Sequence, residues 1–297
     1  MSMSMNRRAL WLAEAILGSA DERRIALSYI EGGGRVIDCG INVRGGLQVG
    51  TELARLCMGD LGAVTIVPGE VEGRSIPVIQ VVTDHPVQAC LAGQYAGWAL
   101  SEGKYFAMGS GPMRAARGQE AIYDRIGCRE SEPAVVGVLE TRKLPPSAIV
   151  AKIARECRVE PDAVTLMAAP TASLAGGLQV VARSVETALH KLAELHFDLT
   201  RIVSAHGTAP LPPVAKDDLA AIGRTNDAIL YGARVILYVT GDDESLEEIG
   251  PRVPSSASKD HGEPFAKIFA RYKHDFYAVD PMLFSPAEIV FQNLQTG

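Results

Sequence analysis

The chain has 297 residues, of which 47% are hydrophobic and 22% charged, a composition that excludes a disordered chain, a collagen-like fibre and a charged interaction tail. Lysine and arginine number 29 against 35 acidic residues, and the net charge of −6 argues against a nucleic-acid or anionic-membrane partner, whose binding surface would be basic. A small-molecule partner is therefore expected. At this length a single hydrophobic core is near its size limit, so we also expect two packed lobes with a cleft.

The first third of the chain predicts helices mixed with local strands. Apolar residues at helical spacing indicate a helix over 8–17. Short β-branched runs at 63–67 and 76–82 are typical of a hairpin with a longer loop. Since a hairpin is hard to reconcile with one all-parallel sheet, we predict the α+β fold class.

From residue 133 onward strands and helices alternate regularly. The predicted strands cover 134–139, 164–168, 201–204 and 235–239, and the predicted helices cover 147–157, 174–195 and 217–230. The uncharged stretch 163–182 has nearly the length of a membrane span, but Pro170 and the Gly176-Gly177 pair favour a buried strand, a turn and a helix. The stretch 241–254 indicates a surface connection.

These patterns predict two α+β subdomains that enclose a cleft. We place the first at 1–133, joined by the returning C-terminal segment 250–297, and the central α/β subdomain at 134–249. Glu14 interrupts the apolar stretch near the N-terminus, so a signal peptide is not expected. The five cysteines are widely spaced and form no C-x-x-C motif, which favours a reducing compartment, and we predict the cytoplasm.

Neither a metal site nor a serine nucleophile is indicated. The six histidines form no H-E-x-x-H motif or other metal-ligand spacing, and no G-x-S-x-G occurs. The segment Gly109 to Pro112 before Arg114 is a candidate anion site, because free amides at a helix start attract anions. The alternative is a capped surface helix, since nearly every helix start carries such amides.

The helix after Gly176-Gly177 carries the most informative pattern. Its apolar stripe has a 3.6-residue period and consists of Leu178, Val181, Val185, Leu189 and Leu192. Arg183 and Glu186 lie off this stripe, three residues apart, so the guanidinium can keep the carboxylate ionised while it acts as a base. From spacing alone, an ordinary surface ion pair is the commoner interpretation.

Five segments closely resemble the methenyltetrahydromethanopterin cyclohydrolase family, in the same order and over almost the whole chain. They are VIDCGIN (36–42), FAMGSGP (106–112), PTASLAGGLQVVARSVETALHKL (170–192), TNDAILYGA (225–233) and DFYAVDPMLFSPAEI (275–289). The resemblance implies reversible hydrolysis of a 5,10-methenyl pterin to its 5-formyl form, with no metal or organic cofactor, in a homotrimer. It assigns the catalytic roles to Arg183 and Glu186.

Six further residues are candidates for contact with the pterin. The expected substrate-contacting residues are Ser110, Arg114, Thr171, Ser173, Asn226 and Asp227. Asp227 is also the next candidate base should Glu186 not serve. Two other functions stay open: a pterin-binding protein without turnover, and a cyclohydrolase that acts on the folate analogue. The segment SAHGTAP (204–210) departs from the family pattern, and no role follows for its histidine, His206.

Overall fold

The computed structural model describes residues 4–297, apart from the side chain of Tyr277. The helices are α1 (Met5–Leu17), α2 (Ala20–Arg23), α3 (Leu47–Cys57), α4 (Met113–Arg117), α5 (Ile122–Ile126), α6 (Ser147–Cys157), α7 (Leu174–Val181), α8 (Ser184–Glu194), α9 (Asp218–Gly232), α10 (Asp243–Ile249) and α11 (Phe265–Arg271). The strands are β1 (Ala26–Tyr29), β2 (Arg35–Asp38), β3 (Ala63–Val71), β4 (Arg74–Thr83), β5 (Trp98–Glu102), β6 (Tyr105–Ser110), β7 (Val135–Glu140), β8 (Val164–Ala169), β9 (Ile202–Pro210), β10 (Arg234–Val239) and β11 (Glu288–Asn293). A π-helical segment covers Val87–Gln94. Helices with two mixed sheets confirm the α+β class.

The chain forms two compact units, and each is discontinuous in sequence. The first unit runs to Gly62 and resumes at Gln88–Gln179, whereas the second consists of Ala63–Val87 and Val180–Gly297. The predicted boundary at residue 133 is therefore wrong, and residues 1–3 of that predicted subdomain lie outside the described residues. The physical reason is strand pairing across distant parts of the chain, because β7 and β8 pair with β6 and β2 rather than only with later strands.

The first unit is built on a six-stranded sheet in the order β1-β2-β8-β7-β6-β5. The inner strands β2, β8 and β7 are parallel, and the others pair antiparallel. Alternate side chains of β7 enter two separate cores, one shared with α6 and the other with α1 and α3. Helices thus cover both faces, which explains why β7 and β8 are apolar throughout rather than alternating.

The second unit is built on a five-stranded sheet in the order β11-β10-β9-β4-β3. The predicted hairpin is confirmed as β3 and β4, joined at Glu72 and Gly73, which both adopt positive φ. Its strands are longer than predicted, because Pro68 lies inside β3, and an edge strand tolerates a proline that has no amide to donate.

The C-terminal segment stays in the second unit. β11 pairs in parallel with β10, from Arg234 opposite Glu288 to Val239 opposite Asn293. The predicted return of this segment to the first subdomain is therefore wrong. α8 packs on the sheet against β9 and β10, and the aromatic residues of α11 form a separate core with α9.

Candidate functional site

The segment predicted as one helix over 174–195 is two helices. α7 ends at Val181, and α8 begins at Ser184 after a turn at Ala182 and Arg183. Arg183 is the N-cap residue of α8, with φ −90° and ψ 12°, and its carbonyl accepts the Thr187 N–H at 2.9 Å. The prediction of an unbroken helix is wrong because Arg183 adopts bridge-region dihedrals, where many active-site residues are found.

Arg183 and Glu186 are both withdrawn from solvent, with 7% and 5% of their surface exposed. This excludes the ordinary surface ion pair. The predicted apolar stripe is confirmed, since each of its five residues is buried. Glu186 is the third residue of α8, where the helix amides stabilise negative charge. Two buried ionisable side chains in one turn carry a desolvation cost, and such groups concentrate at functional sites.

Polar side chains gather at the carboxyl edge of the parallel strands in the first unit. The Thr171 hydroxyl donates to the Glu140 carboxylate, which ends β7. The Ser173 hydroxyl donates to the Pro170 carbonyl at 2.7 Å and accepts the Gly176 N–H at 3.0 Å. Ligands of open α/β sheets bind outside this edge of the strands, so the position of Thr171 and Ser173 suits their predicted role in substrate contact.

Asp38 organises the neighbouring loop at the end of β2. Its carboxylate accepts the backbone N–H groups of Gly40, Ile41 and Asn42 at 2.7–2.9 Å. A Cβ at Gly40 would lie 3.0 Å from the Ser173 Oγ, so the two loops are in close contact. The sequence alone led us to assign no role to Asp38 or Glu140. The signal that marks both residues is that each is an acidic residue at the end of a buried run of β-branched residues.

Arg114 is a structural residue, and its predicted anion-binding role is corrected. Its side chain is fully buried, and it donates to the backbone carbonyls of Leu91, Ala92 and Gly93 at 3.1–3.3 Å and to the Glu120 carboxylate. These internal acceptors satisfy the guanidinium, whereas the prediction required it to face a ligand. The helix start expected after Pro112 is confirmed, because α4 begins at Met113.

Ser110, the other predicted residue of this segment, is also buried. Its Oγ lies 3.1 Å from the Cys57 Sγ. The structure therefore surrounds Ser110 with the core of the first unit.

Asn226 and Asp227 hold helices of the second unit. The Asn226 amide donates to the Ile222 carbonyl at 2.8 Å, and the Asp227 carboxylate accepts the first N–H of α11, that of Phe265, at 2.7 Å. Burial raises the pKa of Asp227 above its usual range. Asp227 also lines a groove of about 1140 Å³ between the β3–β4 hairpin and α9, whose lining includes neither Arg183 nor Glu186.

Two further observations concern residues 4–297 as a whole. Within these residues, no three side chains of His, Cys, Asp or Glu come together as a metal-binding group. Over the same range, no helix combines the length and the apolar character needed to cross a bilayer.

Comparisons with known proteins agree over the length of the chain. A family model described as Cyclohydrolase (MCH) matches residues 4–297. A methenyltetrahydromethanopterin cyclohydrolase of Rhodopirellula baltica is 52% identical over 89% of this chain and 81% of its own length. Proteins of the same name from Methylobacterium sp. strain 4-46 and Methanococcoides burtonii are 45% and 40% identical, each over 99% of this chain and 92% of their own length.

Proposed function

We propose that Glu186 and Arg183 carry out the reaction of this protein, because the chain belongs to the methenyltetrahydromethanopterin cyclohydrolase family. The protein is a cyclohydrolase, a hydrolase that opens a carbon–nitrogen bond of a cyclic amidine. Its substrate is 5,10-methenyl-tetrahydromethanopterin or the dephospho form, and its product is the 5-formyl compound. The observation that carries the residue assignment is the burial of both side chains at the start of α8, inside the motif ARSVETALH.

Glu186 serves as the general base of the first step. The methenyl carbon bridges two nitrogens and shares their positive charge, so it is already electrophilic, and the missing component is hydroxide. The Glu186 carboxylate accepts a proton as the water oxygen bonds to this carbon, and the product is a neutral tetrahedral carbinol. A carboxylate in a first helical turn is suited to this step, because the helix amides favour its charged form.

The protonated Glu186 serves as the general acid of the second step. It returns its proton to the arylamine nitrogen as the bond between that nitrogen and the carbinol carbon breaks, and the bond's electron pair stays on the nitrogen. The carbinol hydroxyl loses its proton as the formyl C=O forms on the other ring nitrogen. One water is consumed and one proton is released overall, so a single carboxylate serves both steps and is regenerated.

Arg183 orients the carboxylate and balances its charge. A guanidinium presents donors in a rigid plane that matches a carboxylate, and its charge opposes the tendency of burial to neutralise Glu186. Its position at the N-cap of α8 places it outside the helical backbone, one turn from Glu186. Thr171 and Ser173 contribute substrate contacts at the carboxyl edge of the first sheet.

The finer features of the function are inferred from the same family membership. We expect turnover without metal or organic cofactor, assembly as a homotrimer and a cytoplasmic location. Activity that survives exhaustive chelation supports the first expectation, whereas loss that a divalent ion restores contradicts it. Light scattering at micromolar concentration tests the second, and a monomer mass contradicts it.

One assay tests the function itself. The decay of the methenyl absorbance is followed with the purified protein and, separately, the methanopterin and folate forms of the substrate. Rapid decay of the methanopterin form alone is the expected result. If the folate form decays as fast as the methanopterin form, the enzyme is also a folate cyclohydrolase. If either form binds but does not decay, the chain is a pterin-binding protein.

A further inference from the structure

The segment SAHGTAP, which family resemblance left unexplained, forms most of β9. Its residues alternate strictly between the two faces of the sheet: Ala205, Gly207 and Ala209 are buried, while Ser204, His206 and Thr208 are half-buried. The His206 Nε2 lies 2.8 Å from the side-chain amide nitrogen of Gln80 on the neighbouring strand β4. The buried face, with its three small residues, is turned toward α8.

Gly207 lies directly under the first turn of α8. A Cβ built at Gly207 would lie 2.5 Å from the Ser184 Oγ and 2.8 Å from the Val185 Cγ2, both closer than real Cβ contacts allow. Ser184 is fully buried, and within the described residues its Oγ has no hydrogen-bond partner. The contact between α8 and β9 is therefore close, because position 207 carries no side chain.

Space, and not backbone conformation, requires glycine at position 207. Gly207 does not adopt the left-handed φ that favours glycine. It pairs with Val81 of β4 on one side and with Val235 of β10 on the other, so β9 cannot withdraw from the helix without breaking two ladders. A glycine inside a central strand weakens that strand, and it commonly marks a place where another part of the chain approaches closely.

We propose that Gly207 is a positioning residue for the reaction, because the space above it sets the depth at which the first turn of α8 seats on the sheet. The two residues that contact it, Ser184 and Val185, are the two that separate Arg183 from Glu186. A side chain at 207 displaces this turn and moves both functional groups together. This inference rests on the proposed roles of Arg183 and Glu186.

The direct test is Gly207→Ala, assayed for kcat, KM and melting temperature. Reaction rates fall steeply when catalytic groups move by fractions of an ångström, so we expect kcat to fall roughly 10- to 100-fold while KM changes less than about threefold. Gly232→Ala is the matched control, since its Cβ would lie 2.7 Å from Pro210 Cγ on the same strand, away from α8. The control is expected to lower the melting temperature comparably and to keep kcat.

A rescue experiment distinguishes positioning from general destabilisation. The variant Gly207→Ala/Ser184→Ala/Val185→Ala removes the Oγ and the Cγ2 that the new methyl group would meet, and Ser184→Ala/Val185→Ala is its reference. Recovery of kcat to within about threefold of the reference supports the proposal. A triple variant that keeps the full loss overturns it, as does a folded Gly207→Ala with kcat within about threefold of wild type.

The remaining outcomes are also decisive. If Gly207→Ala does not fold, the triple variant takes its place: a folded triple variant as active as its reference supports the proposal, and an unfolded or inactive one overturns it. Glu186→Gln is assayed in parallel. If Glu186→Gln keeps normal turnover, the proposed function has failed; if Glu186→Gln is inactive while Gly207→Ala is fully active, only the positioning role of Gly207 has failed.

Discussion

Arg183 is the cap of the helix whose third residue is Glu186, and the two residues between them, Ser184 and Val185, are fully buried. The two side chains proposed to act on the substrate therefore extend from the same end of α8. Arg183 directly precedes the first helical residue, whereas Glu186 belongs to the first helical turn. The buried pair fixes that end against the sheet. Substitutions within these four residues are therefore expected to separate catalysis from folding.

Arg183→Lys tests the geometry of the guanidinium. Lysine keeps the charge but lacks the planar fork that orients a carboxylate, so we expect turnover to fall by roughly 10- to 100-fold while the pH profile of kcat shifts little. Steady-state rates between pH 6 and 9 provide the measurement. Full activity in the lysine variant would reduce the role of Arg183 to its charge.

Val185→Asp tests the packing of the same turn. An unpaired carboxylate at this fully buried position is expected to cost several kcal/mol and to reduce the yield of soluble protein. Val203→Asp is the control, because Val203 is an exposed residue of the same unit. Thermal denaturation of both variants gives the comparison, and equal melting temperatures would contradict the assigned packing.

Arg114→Met tests the corrected role of the buried arginine. Loss of the guanidinium removes its hydrogen bonds to three backbone carbonyls and its buried ion pair with Glu120, so we expect a loss of about 3 kcal/mol in the free energy of unfolding and an unchanged KM. Arg7→Met, which breaks an exposed ion pair with Glu132, should lose less than about 1 kcal/mol. A large rise in KM with unchanged stability would restore Arg114 to the substrate site.

Lys191, buried in α8, gives the second unit a pH-dependent stability. Its ammonium donates to the Met282 carbonyl, and burial lowers its pKa to about 8, with a further lowering by Arg252 and an opposing rise from Asp280. The unfolded chain has a lysine pKa of about 10.4, so it binds more protons between pH 8 and 10.4, and stability rises with pH there. Below pH 8 the full cost of the buried charge is present.

The corresponding measurement compares Lys191→Met with wild type by urea denaturation at pH 7, 8.5 and 10. The stability of the variant relative to wild type should fall by on the order of 2 kcal/mol over this range, as the wild-type protein loses the buried charge. Lys216→Met, at an exposed position, should show a constant difference. A constant difference for Lys191→Met would mean that its pKa is not lowered.

Local patterns in the sequence were sufficient for much of the fold. The predicted bounds of α6, Ser147–Cys157, are those observed, because its apolar spacing is regular and two prolines precede it. The hairpin and the apolar stripe of α7 and α8 follow from similar periodicity. α10 was missed inside a stretch interpreted as a loop, although Asp242 accepts the Ser245 N–H as a helix cap.

Contacts between distant residues explain what the sequence could not predict. The start of α1 is capped by Glu130, whose carboxylate accepts the Met5 and Asn6 N–H groups from more than 120 positions away. The unit boundaries depend in the same way on which strands pair. The family motif was sufficient to propose Arg183 and Glu186 as site residues. The close approach of Gly207 to Ser184, in contrast, joins two segments that no spacing rule connects.

The most direct test of the proposed mechanism is the turnover of Glu186→Gln on 5,10-methenyl-tetrahydromethanopterin, followed by loss of the methenyl absorbance. Glutamine keeps the size of the side chain but accepts no proton, so kcat should fall by roughly 10²- to 10⁴-fold with little change in melting temperature. Glu194→Gln, at an exposed position of the same helix, should keep wild-type turnover. Near-normal turnover of Glu186→Gln would contradict the account, and the search for the base would then turn to Asp227.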